Sequence, residues 1–141
     1  MAGIIQYVIY QDNRKNIGTG KFYARAVHTT QIDTEKLADI IQRNCTCKRS
    51  DVLAVLSELG EVMKDQLQIG NTVKLANFGI FGIGITSTGA ESEDKFNAAE
   101  NIVGAHVNFL PQGKKDAATG KYIRDWVADI KFQRATGFVK A

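Results

Sequence analysis

Cysteine is scarce in this chain, and its only two, Cys45 and Cys47, stand one residue apart. A pair so close cannot easily close a disulfide, so no oxidised framework is implied and reduced thiols fit a cytoplasmic protein. The only histidines, His28 and His106, lie in unrelated segments. A zinc centre needs paired ligand spacing, which C-x-C with two scattered histidines lacks, so no metal is expected and the thiols read as free and at least half-buried. No nucleophile has a recognisable base, and the carboxylates fall on solvated helix faces or in one acidic stretch. Neither catalytic residues, nor a cofactor, nor a small-molecule substrate is therefore expected. No apolar run approaches the roughly 20 residues that span a bilayer, and MAGIIQYVIYQ lacks the flank and cleavage pattern of a signal peptide, so no membrane partner is expected. One proline and 44% hydrophobic residues exclude collagen-like, mucin-like and disordered chains. A length of 141 residues fits a single core.

Net charge is only +3, but it is unevenly distributed. Residues 1–27 carry +3, residues 28–70 carry −2, residues 71–110 carry −2 and residues 111–141 carry +4. Basic ends around a mildly acidic middle point toward a polyanionic partner. Two glycine motifs invite nucleotide readings and fail. Gly18-Thr19-Gly20-Lys21 has Lys15 where a phosphate loop needs glycine, and Phe22 where it needs Ser or Thr. Gly82-x-Gly84 lies within a strand that no helix follows.

Residues 4–10 (IIQYVIY) and 21–27 (KFYARAV) are β-branched and aromatic, and the Asn, Asp and Gly between them make the pair a long-looped hairpin. Asp33 is placed to cap a helix over 33–44 with an apolar stripe of Leu37, Ile40 and Ile41. After the break NCTCKR, Ser50 is expected to cap a helix over 50–68. Its face of Val52, Val55, Leu56, Leu59, Val62, Met63 and Leu67 is broad enough to need a partner surface. Val73 and Leu75 alternate as a strand, Asn77-Phe78-Gly79 reverses the chain, and Phe81, Ile83 and Ile85 begin a second strand. Gly82 and Gly84 leave its other face bare. A polar loop over 86–101 leads to a returning strand with Val103, Ala105, Val107 and Phe109. The segment QGKKDAATGKYIRDW reads as basic and helical, and a last strand is expected over 129–134.

Two helices, a glycine turn, a strand, Phe-Gly, a second strand, an excursion and a returning strand follow the order of the HU and integration-host-factor family. Gly70-Asn71-Thr72-Val73-Lys74-Leu75-Ala76-Asn77-Phe78-Gly79-Ile80-Phe81 resembles that family's G-x-x-V-x-L-x-x-F-G-x-F segment, and Thr46 to Val52 is similar to its basic turn before the second helix. The likeness covers roughly residues 33–116, and the added terminal strands resemble extended HU-like proteins of Bacteroides-type bacteria. It implies an α+β HU/IHF-like fold: a β extension over 1–30, an HU-like domain over 31–125 with a protruding arm within 72–110, and a strand or tail over 126–141.

The same resemblance implies a nucleoid-associated homodimer that binds double-stranded DNA with little sequence preference, with Val55, Leu59, Val62, Met63, Phe78 and Phe81 at the dimer interface. Lys48, Arg49, Lys74, Lys95, Lys114, Lys115, Lys121 and Arg124 are then the candidate DNA contacts. The arm departs from the family. It carries Glu91, Glu93, Asp94 and Glu100 against Lys95 alone and has no proline at its tip, since the only proline is Pro111. A related reading follows, that of an HU-like interaction module that has lost DNA binding.

Overall fold

The computed structural model describes residues 3–14 and 20–136. The chain divides into two compact units, residues 1–32 with 127–141, and residues 33–126.

The first unit is a three-stranded sheet of β1 (Ile4–Gln11), β2 (Phe22–Ala26) and β8 (Lys131–Arg134) in the order β2-β1-β8. β1 and β2 are antiparallel, with Tyr10 opposite Tyr23 and Gln11 opposite Phe22. β8 joins the other edge of β1 in parallel, pairing Ile4 with Lys131 and Tyr7 with Arg134. The strands expected over 4–10, 21–27 and 129–134 thus fall in one sheet. At the end of β1 the Asp12 carboxylate is buried and accepts from the guanidinium of Arg14 and then from its backbone N–H, which lower its pKa in that order.

In the second unit α1 (Thr34–Asn44) starts where expected, because the Asp33 side chain accepts from the Lys36 N–H at 2.9 Å. α2 (Arg49–Gln68) begins one residue early. Its cap is Lys48, not Ser50, and the Asp51 carboxylate accepts from the Lys48 N–H, supplying the returning half of a capping box. Between the helices Cys45 and Cys47 are exposed rather than buried, and the Cys45 thiol donates to the Ile41 carbonyl.

β3 (Val73–Leu75), β4 (Gly79–Ser87) and β5 (Ile102–Pro111) form an antiparallel sheet in sequence order. β4 and β5 stay paired from Gly79 opposite Pro111 to Thr86 opposite Gly104, making a long hairpin with a register shift near Ser87. The segment beyond it is not all loop. A 3-10 turn spans Glu93–Lys95, and one helical turn, α3, spans Ala98–Asn101.

The stretch expected to be helical after Pro111 is instead a second hairpin, β6 (Gly113–Lys115) with β7 (Tyr122–Arg124), followed by a 3-10 turn at Asp125–Val127. Turn chemistry decides this. The Asp116 carboxylate accepts from the Ala118 N–H and the Thr119 hydroxyl, and Gly120 takes a positive φ of 71° that a helix cannot accommodate.

Two backbone positions fix the β3–β4 reversal. Asn77 sits in the left-handed region at φ 67°, and its N–H donates to the Gln112 side chain. Gly79 has φ 149°, and a Cβ there would lie 2.1 Å from the Leu110 carbonyl oxygen. Gly79→Ala should cost at least ~2 kcal/mol in urea unfolding, combining backbone strain with a backbone clash. Gly89→Ala, where nothing lies within 4 Å, should be close to neutral. Equal effects of the two changes would remove Gly79 from its structural role.

Candidate nucleic-acid interface

The hairpin has two unlike faces, because side chains alternate and cross-strand partners share a face. Val73, Leu75, Phe81, Ile83, Ile85, Ala105, Val107 and Phe109 lie on one face. Lys74, Ile80, Gly82, Gly84, Thr86, His106, Asn108 and Leu110 lie on the other. The bare surface expected over Gly82 and Gly84 is partly filled. A Cβ on Gly84 would meet Asn108 Nδ2 and His106 Nε2, each at 2.5 Å, so both side chains lie across that glycine. The Thr86 hydroxyl and His106 Nδ1 are 3.3 Å apart. His106 and Asn108 join Lys74 on a polar face that sequence reading recognised only through Lys74. The alternation that put Val107 and Phe109 inward already put them outward.

On the apolar face Phe81 stacks on Phe109 with ring centroids 4.6 Å apart. Trp126 lies 6.2 Å from Phe109 and packs edge-on to Phe78 at 5.4 Å. Phe78 and Phe81, expected at a dimer interface, therefore belong to one aromatic cluster. Trp126 was missed because its segment read as helical. Much of the cluster is open, with Phe78 45% and Trp126 57% exposed.

Helix α2 shows the same deficit. Val52 and Leu67 are buried and Leu59 and Met63 half-buried, whereas Val55, Val62 and Ile69, spaced seven apart along one side, are exposed. Among the described residues only Ala38, Val52 and Leu67 are buried hydrophobics, and no large side chain is fully enclosed.

The basic candidates separate into tied and untied groups. Arg49 pairs with Asp39 at 2.6 Å and with Glu35, clamping α2 to α1, and these partners raise its pKa in that order. Lys95 pairs with Glu91. Arg124 lies 4.3 Å over the Tyr122 ring and donates to the Pro111 carbonyl, while the Tyr122 hydroxyl donates to Gly113. Lys48, Lys74, Lys114, Lys115 and Lys121 are exposed and form no ion pair among the described residues. Lys114 and Lys115 point to opposite faces of the β6–β7 ribbon, Lys115 sharing its side with Tyr122. Among the described residues no group of three or more His, Cys, Asp or Glu is placed to hold a metal, and no helix is long and apolar enough to cross a membrane.

Helices and largely antiparallel sheets in this order define an α+β protein. Its fold is shared with a solved protein from Bacteroides vulgatus proposed to bind DNA: TM-score 0.62, 16% identity, 94% of this chain and 48% of that one covered. The chain thus spans about half the length of that relative, and at this identity the likeness speaks for the fold alone. No curated protein matches the chain. Residues 1–121 match the model of a family described as an HU domain fused to a wHTH, Ig or glycine-rich motif, and the chain belongs to this HU-like family.

The loop that presents Lys115 and Lys121 depends on Asp116, whose pKa is lowered chiefly by the Thr119 hydroxyl and then by the Ala118 N–H. Its folded value lies below its unfolded one. The contribution is therefore present above the ordinary carboxylate value of about 4 and is lost as pH falls through the depressed value. Protection of the Ala118 and Gly120 amides, measured relative to their intrinsic exchange rates, should fall in the native chain as pH drops through the depressed value. In Asp116→Ala it should already be low at neutral pH. Unchanged protection in that variant would contradict the role of the carboxylate.

Proposed function

We propose that this protein is an HU-like homodimer that binds double-stranded DNA with little sequence preference. The observation that carries the reading is the uncovered apolar face of a chain belonging to an HU-like family. In the proposed arrangement α1 and α2 form the body and the β4–β5 hairpin forms the arm. A second copy covers Val55, Leu59, Val62, Met63, Phe78 and Phe81. The apolar hairpin face turns toward the joint core, leaving Lys74, His106 and Asn108 on the polar side. A binding role of this kind needs no catalytic group and no cofactor.

The arm tip modifies the mode of binding. Residues 88–101 carry −3 and no proline, so phosphates repel the tip and no proline wedge is available to open a base step. Affinity must come from lysines nearer the body and should depend steeply on salt, because counterion release supplies most of it. The same tip supports the second reading, an HU-like interaction module without DNA, which the tests below separate from the first.

Light scattering should give a mass twice the chain's 15.5 kDa at micromolar concentration, and Leu59→Asp should abolish it by placing an unpaired charge in the interface. A folded monomer would refute the dimer. In mobility-shift titrations, changing Lys114 and Lys115 together to Ala should flatten the plot of log affinity against log salt by roughly one unit. One unit, rather than two, follows from their opposite faces, since a single duplex reaches one of them. Neutralising Glu91, Glu93 and Asp94 to Gln and Asn should tighten binding by removing repulsion. No binding even at low salt would leave the interaction module as the reading.

A further inference from the structure

Positive charge is concentrated in the smaller of the two units. The unit made of residues 1–32 and 127–141 holds seven Lys and Arg against two acids, +5, whereas residues 33–126 hold eleven against thirteen, −2. The HU-like body is therefore net acidic and the terminal sheet strongly basic. A polyanion meets its attraction mainly in the smaller unit.

That sheet also has two unlike faces. Ile5, Ile9, Phe22, Ala24 and Phe132 line one of them, with Tyr7, Gln11 and Arg134 on the same side. The other presents Gln6, Tyr10, Tyr23, Arg25, Lys131 and Gln133, all exposed, together with exposed Ile4 and half-buried Val8. Tyr10 and Tyr23 lie opposite each other on β1 and β2, with ring centroids 6.1 Å apart and planes tilted by 35°. Each is about two-fifths exposed, Tyr10 at 39% and Tyr23 at 41%. The Arg25 guanidinium lies 5.8 Å from the Tyr10 ring centre. No Asp or Glu occurs in any of the three strands. Of the two acids in this unit, Asp12 is buried and hydrogen-bonded to Arg14, leaving Asp129 outside the strands.

We infer that this face is a second nucleic-acid site, one for single-stranded DNA. Bases stack on Tyr10 and Tyr23, and Arg25 and Lys131 neutralise the flanking phosphates. Every base has a π face, so a pair of exposed rings on a sheet holds a single strand without reading its sequence, and basic side chains beside them track the backbone. A duplex keeps its bases stacked on one another and cannot use the rings. The aromatic pair, Arg25 and Lys131, and the absence of any acid on this face together favour an unpaired strand over a protein partner, although Ile4 and Val8 also lie on it.

The site rests on the nucleic-acid reading above but on different residues, so the two fail separately. The test is fluorescence anisotropy of the full chain with an oligothymidylate of about 16 nucleotides and with a blunt mixed-sequence duplex. Tyr10→Ala with Tyr23→Ala should weaken oligothymidylate binding at least fivefold, the equivalent of about 1 kcal/mol for one lost stack, while duplex binding stays within twofold. Tyr10→Phe with Tyr23→Phe should retain it. Arg25→Ala with Lys131→Ala should flatten the single-strand salt dependence by about 1.4 units, at roughly 0.7 per contact.

Oligothymidylate binding unchanged in the alanine pair would overturn the site, as would its absence in the native chain, whatever the duplex does. Duplex binding lost in the Lys114 and Lys115 variant but kept in the tyrosine variant would show the two sites to be independent. Should the tyrosine pair disturb the fold by circular dichroism, the Arg25→Ala change alone decides. Weakened oligothymidylate binding supports the site and unchanged binding overturns it.

Discussion

The structure depends on apolar surface that one copy of the chain cannot cover. The β4–β5 hairpin carries Phe81, Ile83, Ile85, Val107 and Phe109 on one face, and α2 packs against β3 and β4, yet much of that face stays open. Val107 is 60% exposed and Ile85 62%. A standard interface removes about 800 Å² from each partner. Removing such apolar surface from water is the term that would drive association. A second copy is the economical cover, because the exposed stripe of Val55, Val62 and Ile69 repeats every seven residues and can meet itself across a two-fold axis. The aromatic cluster of Phe78, Phe81, Phe109 and Trp126 then acquires the enclosure its geometry prepares.

With that face taken up in the proposed dimer, charge decides what remains outside. The polar face of the hairpin offers one cation, Lys74, beside His106 and Asn108, and the tip is acidic. Arg49 and Arg124 are occupied by Asp39 and Glu35 and by Tyr122 and Pro111. The hairpin itself therefore offers a duplex little positive charge, and of the untied lysines Lys114, Lys115 and Lys121 lie on or beside the β6–β7 ribbon, whereas Lys48 lies before α2. The excess positive charge has moved to the terminal sheet, which brings exposed rings with it.

Locally determined features were legible in the sequence. Asp33 caps α1 because a side-chain oxygen three residues before an orphan N–H needs nothing distant, and the apolar alternation of β4 and β5 declares their faces. The segment after Pro111 was misread because composition was weighed ahead of turn chemistry. Asp116, Thr119 and Gly120 form a turn that breaks any helix between Lys115 and Lys121. The start of α2 was misplaced because Ser50 resembles a cap, although Asp51 reaching back to Lys48 does the work. Parallel pairing of β1 with β8 joins residues more than 120 positions apart, and no local pattern announces it. For the candidate site the lysines were visible as residue types, but whether each was tied or untied depended on partners such as Glu91, Asp39 and Tyr122. His106 was set aside as a lone histidine, and its place beside Asn108 over Gly84 appears only when the hairpin register is known.

The central claim, that this fold is completed only by a second copy, is tested most directly by thermal unfolding across a hundredfold range of protein concentration. If folding and association are one event, that range changes apparent stability by about 2.7 kcal/mol and the midpoint rises by several degrees from the most dilute to the most concentrated sample. A midpoint independent of concentration, with the helical signal intact at the lowest, would contradict it.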